Sequence, residues 1–448
     1  MATENRRMDW TRLLDATRYG RESESTDIRS PFQRDIDRIL FSDHFRRLAR
    51  KTQVHPLNEN DHIHSRLTHS LEVASVGKSL GELIGYFLED RKELPPGLSP
   101  KDVGEAVQAA CLAHDIGNPP FGHSGEEAIK EWFKAHAEEY KLLPAECLTD
   151  FTRFDGNAMS VRILVNTGFV QTGISPTYAV LGAVLKYPWS SYDAPKGKDK
   201  FSFFQTEAEA MDKVADALGL IPMDRRWSRP PLAYLTEAAD DICYRIIDIE
   251  DATEMGILDE MFMLDSFAEP LELETGPGQA HEWLLSAHFR QRNSYLRAKL
   301  INKATRDAAE LFQTHYEAIM TGSFDLDSSL MEQSTGICGR IRAVYGTIKE
   351  RLFHSRRKAT LELGAQNGLF RLLDQTMADV DRYCQPKTGL SSTNRKIRSI
   401  IGPSVIDAIV ADENRCQYRI IMAIVDYISG MTDHYATDLC RKFLGLGY

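Results

Sequence analysis

LAHDIGNPPFGHSGEEA, residues 112–128, is the stretch on which the fold turns. Its first half closes a helix. Upstream, Ser99-Pro100 offers an N-cap followed by proline in the first turn, and Val103, Val107 and Leu112 keep helical spacing towards it. Gly117-Asn118-Pro119-Pro120 then supplies C-cap chemistry followed by breakers, so the helix must stop near Asp115. His114 and Asp115 are thereby delivered to a helix C-terminus, whose carbonyl-rich end favours a nearby cation. After a sharp turn at Pro119-Pro120-Phe121-Gly122, another helix is expected from about Gly125, and His123 and Glu126 stand at that entry. A histidine within hydrogen-bond reach of a carboxylate can hold a raised pKa and move a proton near neutrality.

Reading outward, Leu67, Leu71, Ala74, Leu80, Leu83, Ile84 and Phe87 follow helical spacing and predict a helix that carries His69. Further helices are expected from about Gly156, Pro176 and Pro231, the last carrying Asp240. Along it Asp240, Tyr244 and Asp248 recur at i, i+4, i+8 as one stripe, while Ile242, Ile246 and Ile249 form a different, apolar face. That stripe favours Asp240 over Asp241 as a site carboxylate. Two imidazoles and two carboxylates, His69, His114, Asp115 and Asp240, are a mixed nitrogen and oxygen set suited to a divalent first-row metal with coordination positions left open.

Strand-like alternation is scarce. The polar stretch from about Tyr187 to Phe201 reads as a loop with room for a short hairpin, and amphipathic helical spacing returns at Ala280 to Met320, Ser404 to Val410 and Arg419 to Ile428. The expected fold is all-α: a helical core with additional C-terminal helices. The expected organisation is an N-terminal segment 1–59 that contributes to the site, a core 60–255 and a C-terminal helical region 256–448.

The 448 residues, 42% apolar and 27% charged, are ordinary for a soluble globular protein. Charge interrupts the apolar stretches well before a membrane span, and the N-terminus lacks a secretory apolar region, so a cytoplasmic protein without membrane contact is expected. Cys111, Cys147, Cys243, Cys338, Cys384, Cys416 and Cys440 lie far apart with no CxxC pair, and reduced core thiols are expected. A net charge of -11 opposes broad attraction to DNA or anionic membrane, but not local binding of a small phosphorylated substrate. No G-x-x-x-x-G-K-[ST] loop is present.

The order H…HD…D is the signature of the HD superfamily, and the surrounding runs match one branch of it. RRLARKTQV (46–54), RLTHSLEVASVGKSL (66–80), FDGNAMSVRIL (154–164), LKYP (185–188), EAADDICYRIIDIEDA (237–252) and GMTDHYA (430–436) join the opening stretch. In these the chain resembles the dGTP triphosphohydrolase family. The resemblance implies metal-dependent hydrolysis of dGTP, and of other dNTPs, to deoxynucleoside and inorganic triphosphate, with Mn2+, Mg2+ or another first-row ion. It implies His69, His114, Asp115 and Asp240 as ligands, His123 as general acid/base and Glu126 as its orienting partner. Arg66, Lys186, Tyr187 and Tyr244 are then expected on the phosphates, Gln53 and Asp248 around the sugar, and Asn157 as an active-site asparagine.

In this reading water activated by the metal attacks the α-phosphorus, and the nucleoside 5′-oxygen leaves. Homo-oligomerisation, perhaps hexameric, and a dNTP allosteric effector are implied by resemblance alone. An HD phosphodiesterase or nucleotidase acting on monophosphates, cyclic nucleotides or alarmones is the alternative that shares the metal site. Weak single-stranded DNA binding through Arg395, Lys396 and Arg398 is a further alternative activity. His434 departs from the family, which commonly carries arginine there, and leaves base preference open. His62 and His64 are expected as surface groups or groups behind the ligands, and His44, His55, His136, His281, His288, His315 and His354 as structural.

Overall fold

The computed structural model describes residues 6–20, 28–53, 60, 62–165, 174–273, 279–325, 328–353, 356–378, 380–384, 389–412 and 416–446. His55 and His354 lie outside these residues, as does the side chain of His281. The architecture is all-α. Twelve of its helices carry the argument: α1 (Pro31–Leu40), α2 (Arg66–Asp90), α3 (Pro100–Ala113), α4 (His123–Ala135), α5 (Gly156–Val165), α6 (Tyr178–Val184), α7 (Pro231–Glu254), α8 (Phe289–Thr314), α9 (Ile337–Phe353), α10 (Arg356–Thr376), α11 (Cys416–Ser429) and α12 (Asp433–Phe443).

Among the described residues the only strands are Pro222–Met223 and Arg226–Trp227, an antiparallel pair. The short hairpin therefore sits at 222–227 and not within 187–201. In that earlier stretch Ser190 makes an isolated bridge to Phe203, and the Trp189 indole donates to the Lys200 carbonyl at 2.8 Å. These bonds fold the loop on itself and give it no strand partner. The polar turn after Met223, with Arg225 at φ +54°, supplies the reversal that the hairpin needs.

Local chemistry explains where the key helices begin. Ser65 accepts from Thr68 N–H, and the Thr68 hydroxyl accepts from Ser65 N–H, so a reciprocal cap starts α2 at Arg66 and leaves His69 in its first turn. Ser99 and Asp102 cap α3 in the same way, with Pro100 at its first position. α2 and α3 then pack almost backbone to backbone: a Cβ on Gly81 would stand 2.8 Å from the Gly104 Cα. That close approach brings His69 and His114 to one end of the helix pair.

The buried apolar residues form two clusters. One joins the N-terminal helices to α2, α3, α6, α7, α8 and α9, with Val73, Val107, Ile246 and Leu300 fully enclosed. The other joins α4 and the aromatic residues Phe151, Phe154, Trp189 and Phe204 to α10 and α11. The seam between them is stitched by ions: Arg162 in α5 meets Asp426 at 2.7 Å and Glu207 at 2.7 Å.

The cysteines need one correction. Cys384 and Cys416 form a disulfide, with Cα atoms 5.8 Å apart, whereas Cys111, Cys147, Cys243, Cys338 and Cys440 remain thiols outside any disulfide. A separation of 32 residues hides a proximity that exists only because the turn Val380–Cys384 packs on α11. No described helix is long and apolar enough to cross a membrane.

Candidate active site

Three helices converge at one end of the first cluster. His69 comes from the first turn of α2, His114 and Asp115 from the end of α3, and Asp240 from the middle of α7. His69 Nε2 lies 3.1 Å from Asp240 Oδ1, and His114 Nε2 lies 3.7 Å from the same oxygen and 3.6 Å from Asp115 Oδ1. Ligand atoms of His69, His114 and Asp115 all fall within 4.8 Å of one another.

The protonation chemistry of this set fits a divalent cation. His114 Nδ1 is 2.6 Å from the Cys111 carbonyl, which can only accept, so Nδ1 carries a proton and Nε2 is the ring atom turned toward the Asp115 and Asp240 carboxylates. His69 Nδ1 is buried without a protein partner, leaving Nε2 as the ring's one engaged atom. Burial alone would raise the Asp240 pKa, but His69, His114 and Lys186 outweigh it and hold the group ionised, well below the usual range. Asp115 is likewise depressed against its burial by Arg66 and the two imidazoles. Arg66 Nη1 donates to Asp115 Oδ2 at 2.8 Å, and the Asn118 amide donates to Oδ1.

Asp241, the neighbour of Asp240, points elsewhere. It pairs with Arg245 at 3.0 Å, and burial pushes its carboxyl up to about 6.

Across the seam, α4 presents His123 and Glu126. The His123 side chain is 73% exposed with Nδ1 3.3 Å from Glu126 Oε2, whereas the Glu126 side chain is only 5% exposed. Glu126 also accepts from Gly156 N–H at 2.9 Å and from Lys200 Nζ at 3.2 Å. Burial opposes its ionisation, yet Lys200, His123 and the Gly156 amide together bring its pKa down to about 2. Lys200 bridges to buried Asp155 at 3.0 Å, and Asp155 in turn accepts the Asn157 amide at 2.7 Å. Asn157 is thus held at the start of α5, facing the same carboxylates.

The stripe on α7 leads away from Asp240 along one wall. Tyr244 meets Tyr345 of α9 edge to face, with ring centroids 5.5 Å apart, and the Tyr345 hydroxyl donates to Asp248 at 2.7 Å. Burial pushes the Asp248 carboxyl up to about 7. Lys186 stands 3.3 Å from Glu237 and beside Tyr187, within reach of the Asp240 field. Gln53 follows Thr52, which bridges to Ser65 at the start of α2, and its buried Oε1 has no hydrogen-bond partner among the described residues. His64 is half-buried between Asp251 at 2.7 Å and Glu72 at 3.6 Å, and its imidazole is raised to about 10 although burial opposes the charge.

Lys200, Asp155, Asn118, Tyr345 and Asp433 were not singled out by sequence reasoning. Asn118, Asp155 and Asp433 lie inside the matching runs, so their spacing was a usable signal. Lys200 sits in a polar loop and Tyr345 lies 97 residues beyond Asp248, and nothing local announces either.

Residues 66–149 match the HD domain family. Over 98% of this chain and 99% of its own length, a deoxyguanosinetriphosphate triphosphohydrolase-like protein of Pseudomonas aeruginosa (strain LESB58) is 41% identical. One of the same description from Synechocystis sp. is 35% identical over 98% of this chain and all of its own. A deoxyguanosinetriphosphate triphosphohydrolase of Yersinia enterocolitica is 30% identical over 95% of this chain and 96% of its own.

Proposed function

The chain belongs to the deoxyguanosinetriphosphate triphosphohydrolase family, and we infer that it hydrolyses deoxynucleoside triphosphates, dGTP among them, to the deoxynucleoside and inorganic triphosphate in a metal-dependent reaction. The observation that carries this reading is that His69, His114 and Asp115 offer ligand atoms within 4.8 Å of one another, with Asp240 3.1 Å from His69 and the His123–Glu126 pair across the seam. A divalent ion bound there supplies Lewis-acid activation of water and neutralises charge on the phosphate.

The remaining work falls to the chain's own side chains. His123, its Nδ1 turned to Glu126, presents Nε2 outward to manage the proton on the departing 5′-oxygen. Glu126 stays ionised throughout, because Lys200 and the Gly156 amide hold its charge, so it orients the imidazole without competing for the proton. Arg66 and Lys186 bring positive charge to the triphosphate, and Tyr187 and Tyr244 flank it. Gln53 offers an unpaired buried oxygen to a sugar hydroxyl, with Asn157 and Asp248 completing the sugar's surroundings. A site built to bond the 3′-hydroxyl and closed at C2′ rejects ribonucleotides.

The same reading takes Mn2+, Mg2+ or another first-row transition metal as the ion, the carboxylates suiting Mg2+ and Mn2+ and the imidazoles favouring a transition metal. It also keeps a homo-oligomer, a dNTP effector and weak single-stranded DNA binding as further proposals. Of the cluster invoked for DNA, Arg398 is already paired with Asp407. The three-segment organisation is likewise proposed: Gln53 from 1–59, the ligands from 60–255, and a covering wall with Tyr345 from 256–448.

The test is product analysis. The metal-loaded protein is incubated with each of the four dNTPs and with GTP, and the products are resolved by chromatography. Deoxynucleoside plus intact triphosphate is expected, with GTP spared. Diphosphate or stepwise phosphate release contradicts the proposed bond cleavage, and turnover confined to monophosphates moves the assignment to an HD nucleotidase.

A further inference from the structure

Asp433 opens α12 directly after its cap Thr432, whose side chain accepts from Tyr435 N–H. An aspartate in the first turn of a helix ordinarily faces water, where it complements the helix dipole. Here the residue is 1% exposed, and its carboxylate turns back towards two distant segments. Oδ1 accepts from Phe121 N–H at 2.8 Å, while Oδ2 accepts from Thr52 N–H at 3.0 Å and from the Thr52 hydroxyl at 2.5 Å.

Both segments lead into the site. Phe121 stands two residues before His123, and Thr52 one before Gln53. Phe121 has φ +64° and Gly122 φ +57°, and a Cβ on Gly122 would lie 2.3 Å from Arg66 Nη2. A bulky residue at positive φ persists only where its surroundings over-determine it, and the bond from Asp433 fixes the Phe121 peptide. Buried Lys51 braces the same junction, since its Nζ donates to the carbonyls of Asn118 at 2.5 Å and Ser429 at 2.8 Å. The next residue, His434, is exposed.

We propose that Asp433 is a positioning residue: one carboxylate that sets the His123 turn and the Gln53 segment at a fixed separation across the seam between the two apolar clusters. The inference rests on the roles given above to His123 and Gln53. It assigns to the last helix a direct hold on both the proton-handling and the sugar-binding sides of the site.

The test compares Asp433→Asn, in which an amide replaces one acceptor oxygen, with Thr52→Val, which removes a single bond on the Gln53 side. Both are corrected for folded fraction by calorimetry, and metal affinity is measured alongside. Asp433→Asn is expected to lower kcat at least about tenfold and to raise KM, because displacing a reacting group by a fraction of an ångström is enough for that loss. Thr52→Val is expected to raise KM several-fold with kcat held, and it keeps the test alive should Asp433→Asn fail to fold. A merely structural role lowers the active fraction and leaves KM where it was. The tether is overturned if both variants keep the wild-type KM while Gln53→Ala and His123→Ala are impaired. If those two reference variants behave like wild type, the site reading itself fails and the tether falls with it.

Discussion

At Glu126 three demands meet: it is buried, it faces His123, and it accepts from Lys200 and the Gly156 amide. Its pKa is brought from the ordinary 4.5 down to about 2, so the stability it contributes is present above the ordinary value and is lost as pH falls towards the lower one. Lys200→Met removes the main cation opposing the burial cost. The variant should therefore lose more melting temperature against wild type near about pH 7 than near about pH 3, where protonation of the unfolded-state carboxyl has already removed part of that stability. An equal loss at the two pH values would dissociate Lys200 from Glu126. His123→Ala should abolish triphosphate release while leaving metal affinity within about twofold, because among the described residues the ring's ionic partners are Glu126 and Glu127, neither of them a proposed ligand. Near-normal turnover would remove His123 from its assigned role. At this scale the sequence was informative where chemistry repeats at short spacing, as with His114-Asp115, His123–Glu126 and the α7 stripe. It was silent on Lys200, since a lysine in a polar loop carries no sign of the carboxylates it will meet.

Helix ends decide where side chains arrive. The N-cap and proline at Ser99-Pro100 and the breakers after Asp115 are readable as residues, and α3 begins and ends accordingly. The hairpin was misplaced because its two-residue strands are too short for alternation to show. Gly117, just past the helix end, packs its backbone on α5: a Cβ there would lie 2.1 Å from Ser160 N. Gly117→Ala must displace backbone and should cost about 2–3 kcal/mol, visible as a lowered denaturation midpoint. On α7, Asp248 is raised from the ordinary 3.8 to about 7, so its contribution is full below the ordinary value and is lost as pH rises through about 7. The Tyr345 hydroxyl restrains that rise by bonding the carboxylate. Tyr345→Phe should therefore destabilise more at about pH 8 than at about pH 5 in thermal melts. A larger loss on the acid side would contradict this.

Taken whole, the described residues form two apolar clusters with the proposed reacting groups at their seam: His69, His114, Asp115 and Asp240, proposed as ligands, on one side, and His123, Glu126 and Asn157 on the other. Such a layout makes the site sensitive to whatever holds the clusters in register, here Arg162 with Asp426, Lys51 with Ser429, and Asp433 with Phe121. These long-range ties were not legible, because each joins residues hundreds of positions apart. The disulfide between Cys384 and Cys416, only 32 residues apart, escaped because just the packing of Val380–Cys384 on α11 brings the two together.

The most direct test of the metal centre is to titrate Mn2+ into wild type and into Asp240→Asn, and to assay dGTP turnover on the same samples. One ion per chain, with triphosphate release, is expected in the wild type. In Asp240→Asn at least about a tenfold loss of affinity is expected, with turnover lost in parallel, since a ligand carboxylate has been neutralised. Undiminished Mn2+ binding and turnover in Asp240→Asn would contradict the assignment of Asp240, and with it the four-residue centre on which the mechanism stands.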